Sequence, residues 1–95
     1  MALQDRETLT VVTNEDWVLL LEGGGIITNM SNVNNNLIYR YDIDKPLPTS
    51  VGRLLYGRPD GGEKDSFVND DADSKVYGKA YSGKVSLLIT DDVYN

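Results

Sequence analysis

Most of this chain alternates apolar and polar residues or carries short apolar runs, and Gly, Asn, Asp and Pro stand between them. Period-two alternation puts successive side chains on opposite faces of a strand. Residues 8–13 (TLTVVT) are β-branched and read as a strand, and 14–16 as a turn. Residues 16–22 (DWVLLLE) are apolar on both faces, which predicts a central strand; a buried helix fits the composition, but the run is too short and Gly23-Gly24-Gly25 stops it. Residues 25–29 (GIITN) read as the next strand, and 32–36 (NVNNN) as a turn, because Asn tolerates left-handed backbone. In 37–42 (LIYRYD), Leu37, Tyr39 and Tyr41 share one face, with Ile38 and Arg40 on the other. Residues 44–50 hold two prolines and predict an edge or crossing loop. Further strands are expected at 51–56, weakly at 66–68, and at 74–81 and 84–90, with a turn at 58–63 (RPDGGE). The last two strands read as a hairpin closed by Ser82-Gly83. Val76 and Ala80 fall on one face of the first, and Tyr77, Lys79 and Tyr81 on the other.

No window carries an apolar stripe at helical spacing, and strands recur about every ten residues with turn chemistry between them. The fold class expected is all-β: a small antiparallel β-sandwich or barrel of about seven to eight short strands. The 95 residues show no repeat or linker, so one domain over 1–95 is expected, with 1–7 and 91–95 as flexible arms. A domain this small buries only roughly 60–65% of its unfolded surface, which makes oligomerisation a reasonable source of added stability.

Composition narrows the chemistry. With no Cys and no His, the chain has no disulfide, thiolate or imidazole ligand, and no Ser-His-Asp or Cys-His catalysis. Some pair among fifteen acidic residues is inevitable, so paired carboxylates carry no signal, and the expectation is no enzyme, no cofactor and no metal. A net charge of −6 argues against non-specific nucleic-acid binding. Between Asp60 and Asp73, however, six acidic residues face one basic residue, so the other 81 positions carry a net of only −1. The longest apolar run, 17–21, is far short of the ~20 residues of a membrane span. The polar N-terminus does not read as a secretory signal, and the chain reads as a complete product made in a cytoplasm.

Three motifs have a plainer explanation. Gly23-Gly24-Gly25 follows a strand as a phosphate loop would, but a strand rather than a helix follows it, so a hairpin turn is expected. Asp71 and Asp73 have the alternation of a Ca²⁺ loop without its central Gly or terminal Glu, so a solvated acidic loop is the better reading. Asn29-Met30-Ser31 matches a glycosylation sequon and reads as a turn. The aromatic residues are Trp17, Phe67 and six tyrosines, Tyr94 among them. Trp17 and Phe67 suit a core. Tyr77 and Tyr81, with Lys79 between, are the best candidates for an exposed binding face. The candidate interface set is Trp17, Tyr39, Tyr41, Tyr77, Lys79 and Tyr81.

Residues 26–32 (IITNMSN), 37–41 (LIYRY), 48–52 (PTSVG) and 76–87 (VYGKAYSGKVSL) together resemble small β-sandwich virion-associated proteins of tailed bacteriophages. The resemblance covers roughly residues 17–90, and the long segment 58–73 departs from it. It implies a decoration or cement protein on the virion head, made in the host cytoplasm. The implied partners are a major capsid protein or another virion protein and further copies of the chain, a trimer favoured, with no nucleic acid and no membrane. One sheet edge is expected near 28–32 and the other near the closing hairpin, with the acidic segment facing away from the attachment surface. The alternative is a carbohydrate-binding or fibre- or tail-attachment module, its Tyr and Trp stacking on sugar rings. A weaker third reading is an acidic DNA mimic.

Overall fold

The structure is a computed structural model and describes residues 2–93; Met1 and the Tyr94 and Asn95 positions lie outside the described residues. Among the described residues nine strands form two antiparallel sheets. They are β1 (Leu3–Asp5), β2 (Thr10–Thr13), β3 (Val18–Glu22), β4 (Gly25–Asn29), β5 (Leu37–Tyr41), β6 (Arg53–Leu55), β7 (Ser66–Asn69), β8 (Lys75–Ala80) and β9 (Lys84–Asp92). Sheet A runs β1-β9-β4-β7, with β2 pairing the other half of the β9 edge that β1 occupies; sheet B runs β3-β8-β5-β6. The all-β sandwich expected from the alternation is the fold observed, with one strand more than expected.

That strand is β1, inside the segment expected to be a flexible arm. Leu3 pairs Asp92 and Asp5 pairs Thr90, so the two ends of the chain zip together. Its side chains are all exposed and none belongs to the core, which is why no periodicity marks it. Backbone pairing and polar contacts hold it instead. The Arg6 guanidinium straddles both Asp91 carboxylate oxygens at 2.9 and 3.0 Å, and Nη2 also donates to the Leu20 carbonyl.

The chain changes sheet at most of its turns, and this corrects the local pairings read from sequence. β8 and β9 do not form a hairpin: β8 lies in sheet B between β3 and β5, and β9 lies in sheet A. Tyr81-Ser82-Gly83 is therefore a crossing between sheets, with Gly83 at φ +66°. The triple glycine is also a crossing, from β3 in sheet B to β4 in sheet A. β3 is an edge strand rather than a central one, and its ladder to β8 slips between Leu19 and Leu21. The extra residue of this bulge lets Leu20 and Leu21 both enter the core at 1% exposure, which explains a run apolar on both faces. Residues 28–32 leave from β4, an interior strand, so neither they nor the β8–β9 crossing form a lateral sheet edge.

The core lies between the sheets. Sheet A contributes Val12, Ile27, Val85, Leu87 and Ile89, and sheet B contributes Leu20, Leu21, Leu37, Tyr39, Leu55, Val76 and Ala80. Phe67 closes it from β7, its ring 4.4 Å from that of Tyr39. The acidic segment is thus not one loop, because β7 runs through its middle. Arg58 makes a bidentate pair with Asp65 at 3.1 Å on one side of that strand. On the other side Asp71 folds its own turn, accepting from the Asp73 amide and the Ser74 hydroxyl.

Two buried asparagines tie the sheets together at strand ends. Asn29 Nδ2 donates to the carbonyls of Asn35 and Leu55 and its Oδ1 accepts from the Ser31 amide. Both amide protons are engaged in a fully buried side chain, so the sequon asparagine of the folded chain is a structural clamp. Asn69 donates to the carbonyls of Gly23 and Asp71, and accepts from the Asp71 amide and the Tyr41 hydroxyl. The Asn-rich turn has its expected left-handed residue at Asn34, φ 74°.

The acid behaviour follows from the carboxylates. Asp71 lies below the ordinary carboxylate value because the Asp73 amide and Ser74 hydroxyl bond its charged form; Asp16 is lowered chiefly by its bond to Lys45. A lowered carboxylate contributes stability above its unfolded value and loses it as pH falls through the folded value. Stability is expected to stay level through neutral pH, where a chain without His has no side chain with an ordinary pKa. It should fall below the ordinary carboxylate range. Urea unfolding of Asp71→Asn against the parent checks this: their difference should be present near neutral pH and vanish in strong acid.

Candidate docking surface

The β5–β6 connection, residues 42–52, is long for two adjacent antiparallel strands, and it is fastened along the outer face of sheet B. Its sequence, DIDKPLPTSVG, sets its shape: Pro48 takes the second position of a turn closed by Ser50 N donating to Leu47 O at 2.9 Å, and Pro46 is buried. Trp17 is 2% exposed yet lies outside the inter-sheet core; its indole Nε1 donates to the Leu47 carbonyl at 2.9 Å. Lys79 Nζ sits 5.0 Å from the centre of the Trp17 ring and donates to the Pro48 carbonyl at 2.8 Å. Arg40 Nη1 donates to the Val51 carbonyl at 2.8 Å, with Nε 3.3 Å from Asp42 Oδ2. Lys45 pairs with Asp16, beside Trp17. Side-chain contacts from three separated stretches, Asp16-Trp17, Arg40 and Lys79, thus hold one loop. At its far end Gly52 passes so close to the Tyr39 carbonyl and the Ile38 side chain that a Cβ would lie 2.6 and 2.7 Å from them.

What the loop presents outward is apolar. Ile43, Leu47 and Val51 are 83%, 71% and 81% exposed, the highest values for large hydrophobic residues among those described. An exposed apolar group on a floppy loop loses ordering entropy on binding; this loop is already ordered by its anchors, which lowers that cost. The arrangement suits burial against another protein. The neighbouring open hollow, about 420 Å³ and lined by Tyr41, Asp42, Ile43, Asp73, Ser74 and Lys75, has its Asp42 engaged by Arg40 and by the Ile43 amide. Among the described residues no group of three or more acidic side chains is placed to hold a metal ion.

The residues singled out from sequence do not form one surface. Tyr77 is a correction: it lies on the outer face of sheet B as the alternation requires, but is buried at 8% exposure. Trp17, Tyr77 and Lys79 share the side of sheet B on which the loop is fastened, and two of them hold it. Tyr39 is in the core, against Phe67. Tyr41 is half-exposed at the β7 side with its ring edge to Phe67, and Tyr81 is exposed beyond the end of β8. Among the described residues the ring contacts join Phe67 to Tyr39 and Tyr41, and no contact joins two exposed tyrosine rings. Ile43, Leu47 and Val51 were missed because each is an isolated apolar residue in a proline-bearing loop, where only exposure reveals a surface. Compared with protein-family models, curated proteins and solved structures, the chain matches none.

Proposed function

We propose that this chain is a non-catalytic docking protein of the virion-decoration kind that its sequence resembles. It seats on a major capsid protein, or another virion protein, through Ile43, Leu47 and Val51. The observation that carries this reading is the coincidence of the three most exposed large hydrophobic side chains among the described residues on one loop held from three separated stretches. Binding would bury these side chains in a complementary apolar recess, with Lys79 and Trp17 keeping the loop in its bound shape. Apolar anchors on an ordered support are the usual source of interface energy. The scattered tyrosines favour this reading over the carbohydrate-binding one. The pairing of Asp65 with Arg58 and the use of Asp71 in bonding its own turn favour it over an acidic mimic of DNA.

The test is to look for the polypeptide by mass spectrometry in purified virions of the source, then rebind recombinant chain to stripped particles. The triple variant Ile43→Ser/Leu47→Ser/Val51→Ser, changed only at exposed positions, is expected to keep its unfolding midpoint. Its affinity should fall at least about a hundredfold, since each lost anchor costs on the order of 1 kcal/mol or more. Virions without the chain, or a variant that rebinds like the parent, would sink the proposal.

A further inference from the structure

We propose that the outer face of sheet A is a self-docking surface, on which a second copy of this chain packs face to face about a two-fold axis. The ladder register places Val11 with Ser86, Thr28 with Leu88, and Ile26 with Val68 on that face. Val11 and Val68, on its two lateral strands, are 55% and 56% exposed. The outward face of an antiparallel sheet ordinarily carries polar and charged side chains toward water. Here the outward ladder positions lying between Lys84 at one end of β9 and Asp5 and Asp92 at the other are aliphatic or hydroxylic, and none is ionisable.

Charge decides the occupant. Copies of a −6 chain repel one another, so self-association favours a face where like charges do not meet, and this face provides one. Its ends are marked by opposite signs: Lys84 stands at the start of β9, paired with Thr13, while Asp92 and Asp5 stand at the other end, paired with Leu3 and Thr90. A two-fold axis lying between the two faces and perpendicular to β9 runs β9 of the second copy in the opposite direction. It therefore brings Lys84 of each copy toward the Asp5 and Asp92 end of the other. A three-fold arrangement, as the resemblance implies, has no such reciprocity across a flat face. The molecule is a slab of 35 × 34 × 19 Å, and its broad face exceeds the ~800 Å² per partner of a stable interface. Two sheets packed in this way lie ~10 Å apart with strands within about 30° of alignment. The 42–52 loop is fastened to the other sheet, so the pair would present two docking loops on opposite sides and could bridge two protein surfaces.

The experiment is sedimentation velocity of the full chain alone over a range of concentrations, so its result does not depend on the docking reading above. A concentration-dependent dimer is expected. Val11→Glu/Val68→Glu, which puts like charges across the axis at positions already exposed, should weaken the dimer roughly a hundredfold or more with the circular dichroism unchanged. Lys84→Glu should weaken it too, whereas Leu47→Ser on the opposite side should leave it intact. A chain monomeric at every concentration, a trimer, or a dimer indifferent to Val11→Glu/Val68→Glu would overturn the proposal; a dimer indifferent to Lys84→Glu would overturn the two-fold orientation.

Discussion

Asn29→Ala is expected to destabilise the fold by about 3–5 kcal/mol, a large part of the roughly 5–15 kcal/mol that holds a domain together. The size comes from what is left behind. Alanine removes the two bonds donated to Asn35 O and Leu55 O and the one accepted from Ser31 N, in a fully buried position. Leu55 belongs to sheet B and Asn29 to sheet A, so the change also releases a link between the sheets. Asn36→Ala is the comparison. It removes only the side-chain acceptor of the Gly57 amide, in a partly buried bond, and should cost about 1 kcal/mol. Urea titration of both variants measures this. Equal midpoints for Asn29→Ala and the parent would show that the clamp contributes nothing.

Gly57→Ala should cost about 3 kcal/mol or more. A Cβ at that position would lie 2.0 Å from the Asn32 carbonyl oxygen and 2.8 Å from that of Asn35. Both obstacles are backbone in the Asn-rich turn, and neither can swing aside as a side-chain tip could. The variant must move the turn, and with it the carbonyl that Asn29 grips. Gly61→Ala separates this steric effect from simple loss of glycine. Nothing lies within 4 Å of its Cβ position, and only the φ of +78° opposes alanine. That strain is about 1 kcal/mol. Thermal unfolding of the pair should therefore show a large loss at Gly57 and a small one at Gly61. Matching losses would mean that the close approach at Gly57 relaxes freely.

Both predictions concern residues whose type was visible in the sequence and whose role was not. NVNNN announced a turn, and Asn34 adopts the left-handed backbone that composition suggests. Nothing in the sequence said that Asn29, at the end of a strand, would reach Leu55 in the other sheet. The same holds for the docking loop. Its two prolines announced a loop, but Trp17 and Lys79 read as an aromatic face with a charge beside it, because the contacts that fasten the loop join residues about thirty positions apart.

By itself the sequence determined where strands form and which side chains point inward, because both follow from period-two alternation and turn chemistry along a few neighbouring residues. β4 is the clearest case: Gly25, Ile27 and Asn29 are buried, alternating with Ile26 and Thr28. It also determined what chemistry is missing, since no fold supplies a thiol or an imidazole that the chain lacks. Only the tertiary structure decided which sheet each strand joins. A short glycine-bearing link can close a hairpin or carry the chain across to the opposite sheet, and both bury the same alternate residues. The choice lies in ladders between distant segments, such as β9 with β1, β2 and β4, where backbone donors and acceptors carry no residue-specific signal. Those ladders made Ser82-Gly83 and the triple glycine crossings, paired an arm with no buried side chain, and left Ile43, Leu47 and Val51 exposed on one anchored loop.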